Sequence, residues 1–259
     1  MQKIQTIILC GGRGYRLKEE TEFKPKPMIE IGGKPILWHI MKIYSHYGFS
    51  NFIVALGYKG NQIKDYFVNK QYYDGDFTLD ETKKKNNIKH YRRIERDNFK
   101  ITFVDTGIES FTGERVRRLK NYLDGKYFML TYGDGLSNIN VRDLLKYHIS
   151  KKALITVSGV KPLLKYGGFE VSADGWAKTF EKKAKLRQFI NGGYMVFDRN
   201  ILPLIKKDSM IEEVFQPVLQ KKRLAIYMHG DFFQAMDTYQ DMEDLNNDWS
   251  EKPAWKIWH

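Results

Sequence analysis

Cysteine is almost missing from this chain: of 259 residues only Cys10 carries a thiol. An internal disulfide is therefore excluded, and a reducing cytoplasm is the expected home. Cys10 lies beside a glycine turn, where a small buried hydrophobe is the simpler reading than a reactive nucleophile. No run of eighteen apolar residues occurs, so no membrane-spanning helix is expected. Met1-Gln2-Lys3 leads straight into a strand pattern, which leaves no room for a secretory signal. The phosphate-loop pattern G-x-x-x-x-G-K-[ST] is absent, and the dinucleotide pattern fails because Leu17 follows Gly12-Arg13-Gly14-Tyr15-Arg16. His39, His46, His90, His148, His229 and His259 show no metal-ligand spacing. His39 and His148 fall in helical apolar patterns and read as core or surface residues.

Positive charge is plentiful: 43 Lys and Arg against 31 Asp and Glu give a net charge of +12. That balance suits nucleic acid, but no RNP1, zinc-finger or helix-turn-helix pattern accompanies it. It equally suits an enzyme whose two substrates are both anions. The first segment favours the second reading. Ile7-Ile8-Leu9 has no helical alternation and reads as a buried strand. Gly11, Gly12 and Gly14 follow directly, and such a turn can bring bare N–H groups close to an anion. Arg13, Arg16 and Lys26 add cations, the last held between prolines in Lys24-Pro25-Lys26-Pro27. A glycine-rich turn alone is usually just a turn, and the neighbouring cations are what point to phosphate.

Strand patterns recur at 4–10, 51–57, 100–105, 127–132, 153–160, 189–197 and 224–229, with helical spacing between several of them. Ile36, Leu37, Ile40, Met41 and Tyr44 form one such helical stripe; Leu144, Leu145 and His148 form another. Alternation of this kind predicts one α/β domain over 1–259 built on a mostly parallel sheet. Residues 69–99, polar and aromatic, break the alternation and read as an insertion or lid. The Trp-rich end, within about 238–259, reads as a segment packed on the body or on a neighbouring subunit.

Two acidic residues stand where chemistry is expected. Asp134, in Gly133-Asp134-Gly135, ends the apolar run Tyr127–Thr131, and ligands in open α/β sheets gather at such strand ends. Asp237 follows Phe232-Phe233-Gln234-Ala235-Met236, and its plain reading is a helix N-cap. Ordinary turn chemistry would equally explain Gly-Asp-Gly.

The block from Ile8 to Leu37 resembles the signature of the sugar-phosphate nucleotidyltransferases, and most of all the glucose-1-phosphate cytidylyltransferases. Lys24–Gly48 and Gly57–Phe67 resemble that subfamily in particular. Val104-Asp105-Thr106-Gly107, the stretch from Thr112 to Arg118, Thr131–Gly135, Ile190–Phe197, Met236-Asp237-Thr238 and Pro253–Trp258 follow in the same order. The resemblance implies a Rossmann-like three-layer domain with a mostly parallel mixed sheet, of the nucleotide-diphospho-sugar transferase type. It also implies a cytoplasmic enzyme of polysaccharide biosynthesis, often a homo-oligomer, with neither nucleic acid nor membrane as partner.

The implied reaction moves CMP from CTP to a phosphorylated small-molecule acceptor, releasing pyrophosphate. The acceptor phosphate is already an anion, so no general base is required, and positioning and electrostatics carry the rate. By resemblance, Asp134 and Asp237 hold Mg²⁺, while Arg16 and the glycine-turn amides hold the distal phosphates. Lys26 reaches the α-phosphate and the attacking phosphate. Leu9, Gly11 and Gly12 line the base; Lys59, in Gly57–Gly60, and Thr106 lie near the cytosine. Arg115 belongs to a segment that folds over the triphosphate, although Arg115, Arg117 and Arg118 also read as a solvated helix face. Tyr132, Tyr166, Gly167, Glu181, Lys182, Asn191 and Phe233 form the acceptor wall. The subfamily's Glu-Lys-Pro is Glu181-Lys182-Lys183 here, Tyr166 stands where Phe is common, and Phe233 stands where Trp is usual. Phe cannot donate the indole hydrogen bond. The acceptor therefore stays open between glucose 1-phosphate, another sugar phosphate and a non-sugar such as a phosphoamino acid; a UTP- or dTTP-using enzyme is the further alternative. A glycosyltransferase of the related fold would carry Asp-x-Asp, absent after Thr131, and a non-catalytic sensor would not need both acids and Lys26.

Overall fold

The computed structural model describes residues 4–73, 75–83, 87–91, 97–163, 166–182 and 184–258; for Arg16, Lys18, Glu19, Gln71 and Tyr73 it describes the backbone only. Seven strands form its main sheet: β1 (Gln5–Cys10), β2 (Asn51–Leu56), β3 (Lys100–Asp105), β4 (Tyr127–Tyr132), β5 (Ile155–Val160), β6 (Ile190–Asp198) and β7 (Leu224–His229). Their spatial order is β7-β5-β6-β4-β1-β2-β3. All seven apolar runs singled out in the sequence are in this sheet, each displaced by two residues at most. The sheet is mixed: β6 runs antiparallel to both β5 and β4, and the remaining pairs are parallel. The reversal has a local cause. A parallel return needs a crossover, usually a helix. Between β5 and β6 the chain instead makes a two-stranded ribbon, Gly168–Val171 with Ala177–Glu181.

Alternation along the strands sends side chains to two separate cores. Ile8, Cys10, Phe52, Val54, Leu56 and Met129 enter one. Ile7, Leu9, Ile53, Ala55, Phe128 and Leu130 enter the other. The first core is closed by helix α1 (Ile36–His46), whose predicted stripe of Ile36, Leu37, Ile40, Met41 and Tyr44 is wholly buried. Burial of each such side chain is worth roughly 1.5–3 kcal/mol before entropy is counted. The C-terminal segment completes this layer: Trp255 is fully buried, and Trp249, Trp255 and Trp38 pack edge-on around His39 with ring centroids 4.8, 6.2 and 5.0 Å away. His39 is thus a core residue, its Nε2 2.8 Å from the Ile31 carbonyl oxygen, and burial holds its pKa down at about 4. The tail therefore packs on the body.

The region 69–99 begins inside helix α2 (Gly60–Tyr73) and continues into a hairpin pairing Phe77–Leu79 with Ile88–His90. It returns through Asp97, whose carboxylate accepts a 2.8 Å bond from Trp38 Nε1, pairs with Lys70 and lies 3.6 Å from Lys42. This anchorage is to the α1 layer. Lys84, Lys85, Arg92 and Arg93 lie outside the described residues. No helix among the described residues is long and apolar enough to cross a membrane.

Candidate active site

The chain leaves β1, builds β2 and β3 on one side, then returns to place β4 on the other. Such a change of direction opens a crevice beyond the carboxyl ends of the two central strands. There a cleft of about 510 Å³ is lined by Leu9, Cys10, Gly11, Gly12 and Gly14 after β1, and by Tyr132, Gly133 and Asp134 after β4. Lys26, Pro27 and Arg115 complete the inner wall; Tyr15, Ser110, Phe111, Thr112 and Met210 stand at its rim. None of the described residues of 69–99 is in this lining.

Three charged residues from remote parts of the chain converge here. Lys26 Nζ donates to Asp134 Oδ2 at 2.7 Å and to Asp237 Oδ1 at 2.8 Å, across 108 and 211 residues of sequence. The lysine side chain is 11% exposed, the two carboxylates 30% and 28%, so the ammonium is the more enclosed partner. Lys26 is placed by a 3₁₀ turn, Lys26–Met28, entered from Pro25 and carrying Pro27, which fixes the backbone beneath the long side chain. The acids are placed by a short antiparallel ladder, Gly135–Ser137 against Phe233–Ala235, extended by Met236 N–H donating to the Asp134 carbonyl at 2.9 Å. Asp237 is not the helix cap. Thr238 caps the C-terminal helix Tyr239–Glu251 in a reciprocal box with Asp241. The Asp241 carboxylate also accepts the Asp237 N–H at 3.0 Å, which fixes the backbone that presents Asp237. Asp241 and Thr238 were recognisable as a capping pattern, but nothing in their spacing tied them to Asp237.

Arg115 is held quite differently. It lies on α3 (Thr112–Arg118), yet it is 3% exposed. Its Nη1 donates to Leu56 O (3.0 Å), Thr106 Oγ1 (2.7 Å) and Gly107 O (2.7 Å); its Nη2 donates to Gly11 O (3.0 Å) and Ile108 O (3.1 Å). Burial lowers its pKa. The guanidinium is a bolt beneath the glycine turn and not a solvated helix face. With five acceptors engaged, it also does not match an arm reaching over a triphosphate. Gly11 is the matching part: a Cβ there would lie 2.0 Å from Arg115 Nη1, so no larger residue fits above the bolt. Gly14 is needed for its backbone, at φ +66°. Arg117 and Arg118 pair with the fully buried carboxylate of Glu114, whose pKa falls to about 2, mainly through the Arg117 bond.

The other predicted residues divide into near and far. Arg13 is paired with Glu109 on the exposed flank, and Arg16 has its backbone in the 3₁₀ turn Tyr15–Leu17, its side chain outside the described residues. Thr106 is buried, donating to Leu56 O at 2.6 Å beneath the turn, and is absent from the cleft lining. Lys59 donates to the Glu22 carbonyl and is likewise absent from the lining. Tyr132 lines the cleft, bonded to Glu212, its pKa raised first by burial and then by that bond. Asn191 sits beside it, accepting the Gly193 N–H at 2.8 Å. Phe233 lies against Gly135, next to Asp134. Tyr166, Gly167, Glu181 and Lys182 are on or beside the exposed ribbon and are not in the cleft lining; Lys165 and Lys183 lie outside the described residues. Phe111 and Met210 at the rim carried no signal in the sequence.

A seven-stranded mixed sheet with acids and a lysine gathered at the switch point defines a class of enzyme. The model of the Nucleotidyl transferase family matches residues 5–256, and the chain belongs to that family. Among curated proteins it is 40% identical to the "Probable glucose-1-phosphate cytidylyltransferase" of Bacillus subtilis, over 98% of this chain and 100% of that protein. It is 38% identical to the glucose-1-phosphate cytidylyltransferase of Salmonella typhi, with the same coverage. Among solved structures, HddC from Yersinia pseudotuberculosis superposes with a TM-score of 0.67 at 22% identity, covering 95% of this chain and 99% of that one. CTP:phosphocholine cytidylyltransferase (LicC) from Streptococcus pneumoniae gives 0.61 at 16% identity, again with 95% and 99% coverage. At these identities the structural likeness speaks for the fold.

Proposed function

We propose that this nucleotidyltransferase transfers CMP from CTP to glucose 1-phosphate, giving CDP-glucose and pyrophosphate. The observation that carries the reading is that Lys26 and Asp134, both in the wall of the glycine-lined cleft, meet Asp237 through the Lys26 ammonium. The names of the full-length relatives support the base and the acceptor. In the step itself, an acceptor phosphate oxygen bonds to the α-phosphorus, and the bond to the bridging oxygen breaks. Pyrophosphate leaves with that electron pair. The N–H groups of Gly11, Gly12 and Gly14 form the anion cradle at the turn, with Arg13 and Arg16 nearby. Lys26 neutralises charge shared by the entering and transferred phosphates. Tyr132, Asn191 and Phe233 form the acceptor side.

The donor set at Asp134 and Asp237 fits Mg²⁺: two carboxylates converge on one cationic centre, with room in an open cleft for substrate phosphates to complete the shell. When bound, Mg²⁺ supplies charge neutralisation along the triphosphate. No cluster of three or more His, Cys, Asp or Glu exists among the described residues, which suits a metal shared with substrate more than a dedicated protein cage.

A second acceptor reading has one observation in its favour. The wall beside Asp134 is the phenyl ring of Phe233, which offers no donor to a hydroxyl. A non-sugar phosphate would lose nothing there. A homo-oligomer in a reducing cytoplasm is the setting we infer. Exposed Phe169, Val171, Trp176 and Phe180 on the ribbon support assembly, and the single buried thiol needs no oxidising compartment.

The test is a panel: each of the four nucleoside triphosphates with Mg²⁺ against sugar phosphates and phosphorylated small acids, following pyrophosphate release and product mass. CTP with glucose 1-phosphate is expected to give the fastest turnover. Turnover with UTP or dTTP alone overturns the base, and turnover with a non-sugar alone selects the second reading.

A further inference from the structure

The Lys26 ammonium stands between the two carboxylates that the proposed function gives to a divalent ion. It is within 2.7 and 2.8 Å of one oxygen of each. Lys26 lines the cleft, yet its ammonium is engaged by the two carboxylates, and its side chain is 11% exposed against 30% and 28% for theirs. Two carboxylates facing each other repel, and an ammonium between them removes that repulsion. A divalent ion on the same carboxylate oxygens would meet the ammonium at contact distance, so the two cations exclude one another.

We infer that Lys26 is a built-in cation that occupies the metal position of the nucleotide-free protein, so that the divalent ion enters only when an incoming triphosphate draws the ammonium away. This rests on the metal role of Asp134 and Asp237 proposed above and adds an order of events to it. The triphosphate offers Lys26 a richer anion than the carboxylates, and the carboxylates are released to the metal at that moment. One side chain then has two positions, and the exchange couples nucleotide to metal. A cation cannot load the free enzyme and hold it in an unproductive charged state. The device needs no hinge: it uses the four rotatable bonds of the lysine stem above the fixed 3₁₀ turn.

The experiment is Mn²⁺ binding to the nucleotide-free protein, read as loss of the free-ion signal in electron paramagnetic resonance. Wild type is expected to bind Mn²⁺ weakly. Lys26→Met and Lys26→Gln are expected to bind it at least tenfold more tightly, whereas Lys26→Arg, which retains a cation, stays weak. Circular dichroism establishes that each variant is folded, and the pair of neutral replacements guards against loss of one of them. Asp134→Asn placed in the Lys26→Met background is expected to abolish the gained affinity. Neutral variants that bind Mn²⁺ no better than wild type overturn the exchange. A gained affinity that survives Asp134→Asn instead overturns the metal role of that carboxylate, so the two failures are distinguishable.

Discussion

Lys26 and Arg115 line the same cleft, both are nearly closed to solvent, and they are neutralised in opposite ways. Lys26 is held by two carboxylates; Arg115 is held by four carbonyls and a hydroxyl. A carboxylate pair can be exchanged for another anion or another cation, so Lys26 has alternatives during a reaction. Backbone carbonyls cannot leave, so Arg115 has none. Of two cations in one pocket, the one compensated by charge is suited to chemistry and the one compensated by dipoles is suited to architecture.

That contrast can be broken by substitution. Lys26→Met is expected to lower kcat by about a hundredfold or more, the scale of a lost transition-state cation or donor, while the folding midpoint moves little. Steady-state pyrophosphate release and denaturant melts measure the two halves; near-full turnover in this variant would end the catalytic role. Arg115→Met should show the reverse. Leaving several buried acceptors without a donor costs on the order of 3 kcal/mol of stability, and turnover at saturating substrate should fall far less than in Lys26→Met. A stable Arg115→Met protein with a hundredfold loss of kcat would place its guanidinium among the reacting groups.

His39 sharpens the comparison with a third solution: a buried basic group kept neutral. Its pKa is lowered to about 4 by burial among the indoles. The unfolded chain therefore takes up the proton as pH drops below about 6.5, while the folded protein does not until about 4. The folded state accordingly loses stability over that window, by roughly 2 kcal/mol between about pH 7 and pH 5. His148, buried behind Thr156 with a pKa also near 4, adds a similar slope. Chemical denaturation of wild type and His39→Gln across that range checks it: the variant should show a shallower dependence, and an unchanged slope would mean that the imidazole does not carry the effect.

The sheet was legible because its strands are short apolar runs flanked by polar turns; β1, β2, β4 and β5 are buried on both faces and show no alternation to misread, while the edge strands β3 and β7 are partly exposed. The C-terminal tryptophans were legible as packing for the same reason: large apolar rings need a core. The antiparallel turn of β6 was harder, since it depends on a ribbon where a helix would otherwise cross. Within the site, Asp134 could be found from a strand that ends in Gly-Asp-Gly, and Asp237 from the resemblance. Their meeting at Lys26 could not, because it is produced by the pairing of Gly135–Ser137 with Phe233–Ala235, two segments too short to announce themselves. Arg115 misled for a related reason. Arg-Val-Arg-Arg on a helix looks like a solvated face, and the carbonyls that hold Arg115 leave no trace in side-chain chemistry. Lys59 and Thr106 likewise sat beside the right turns, and their polar atoms are engaged with backbone carbonyls.

The most direct measurement is a crystal structure of the protein with CTP and Mn²⁺, with manganese located by its anomalous scattering. The account predicts an anomalous peak shared by Asp134 and Asp237, with Lys26 Nζ moved from those carboxylates onto a nucleotide phosphate. Manganese bound elsewhere, or Lys26 still bridging both acids with nucleotide in place, would contradict it.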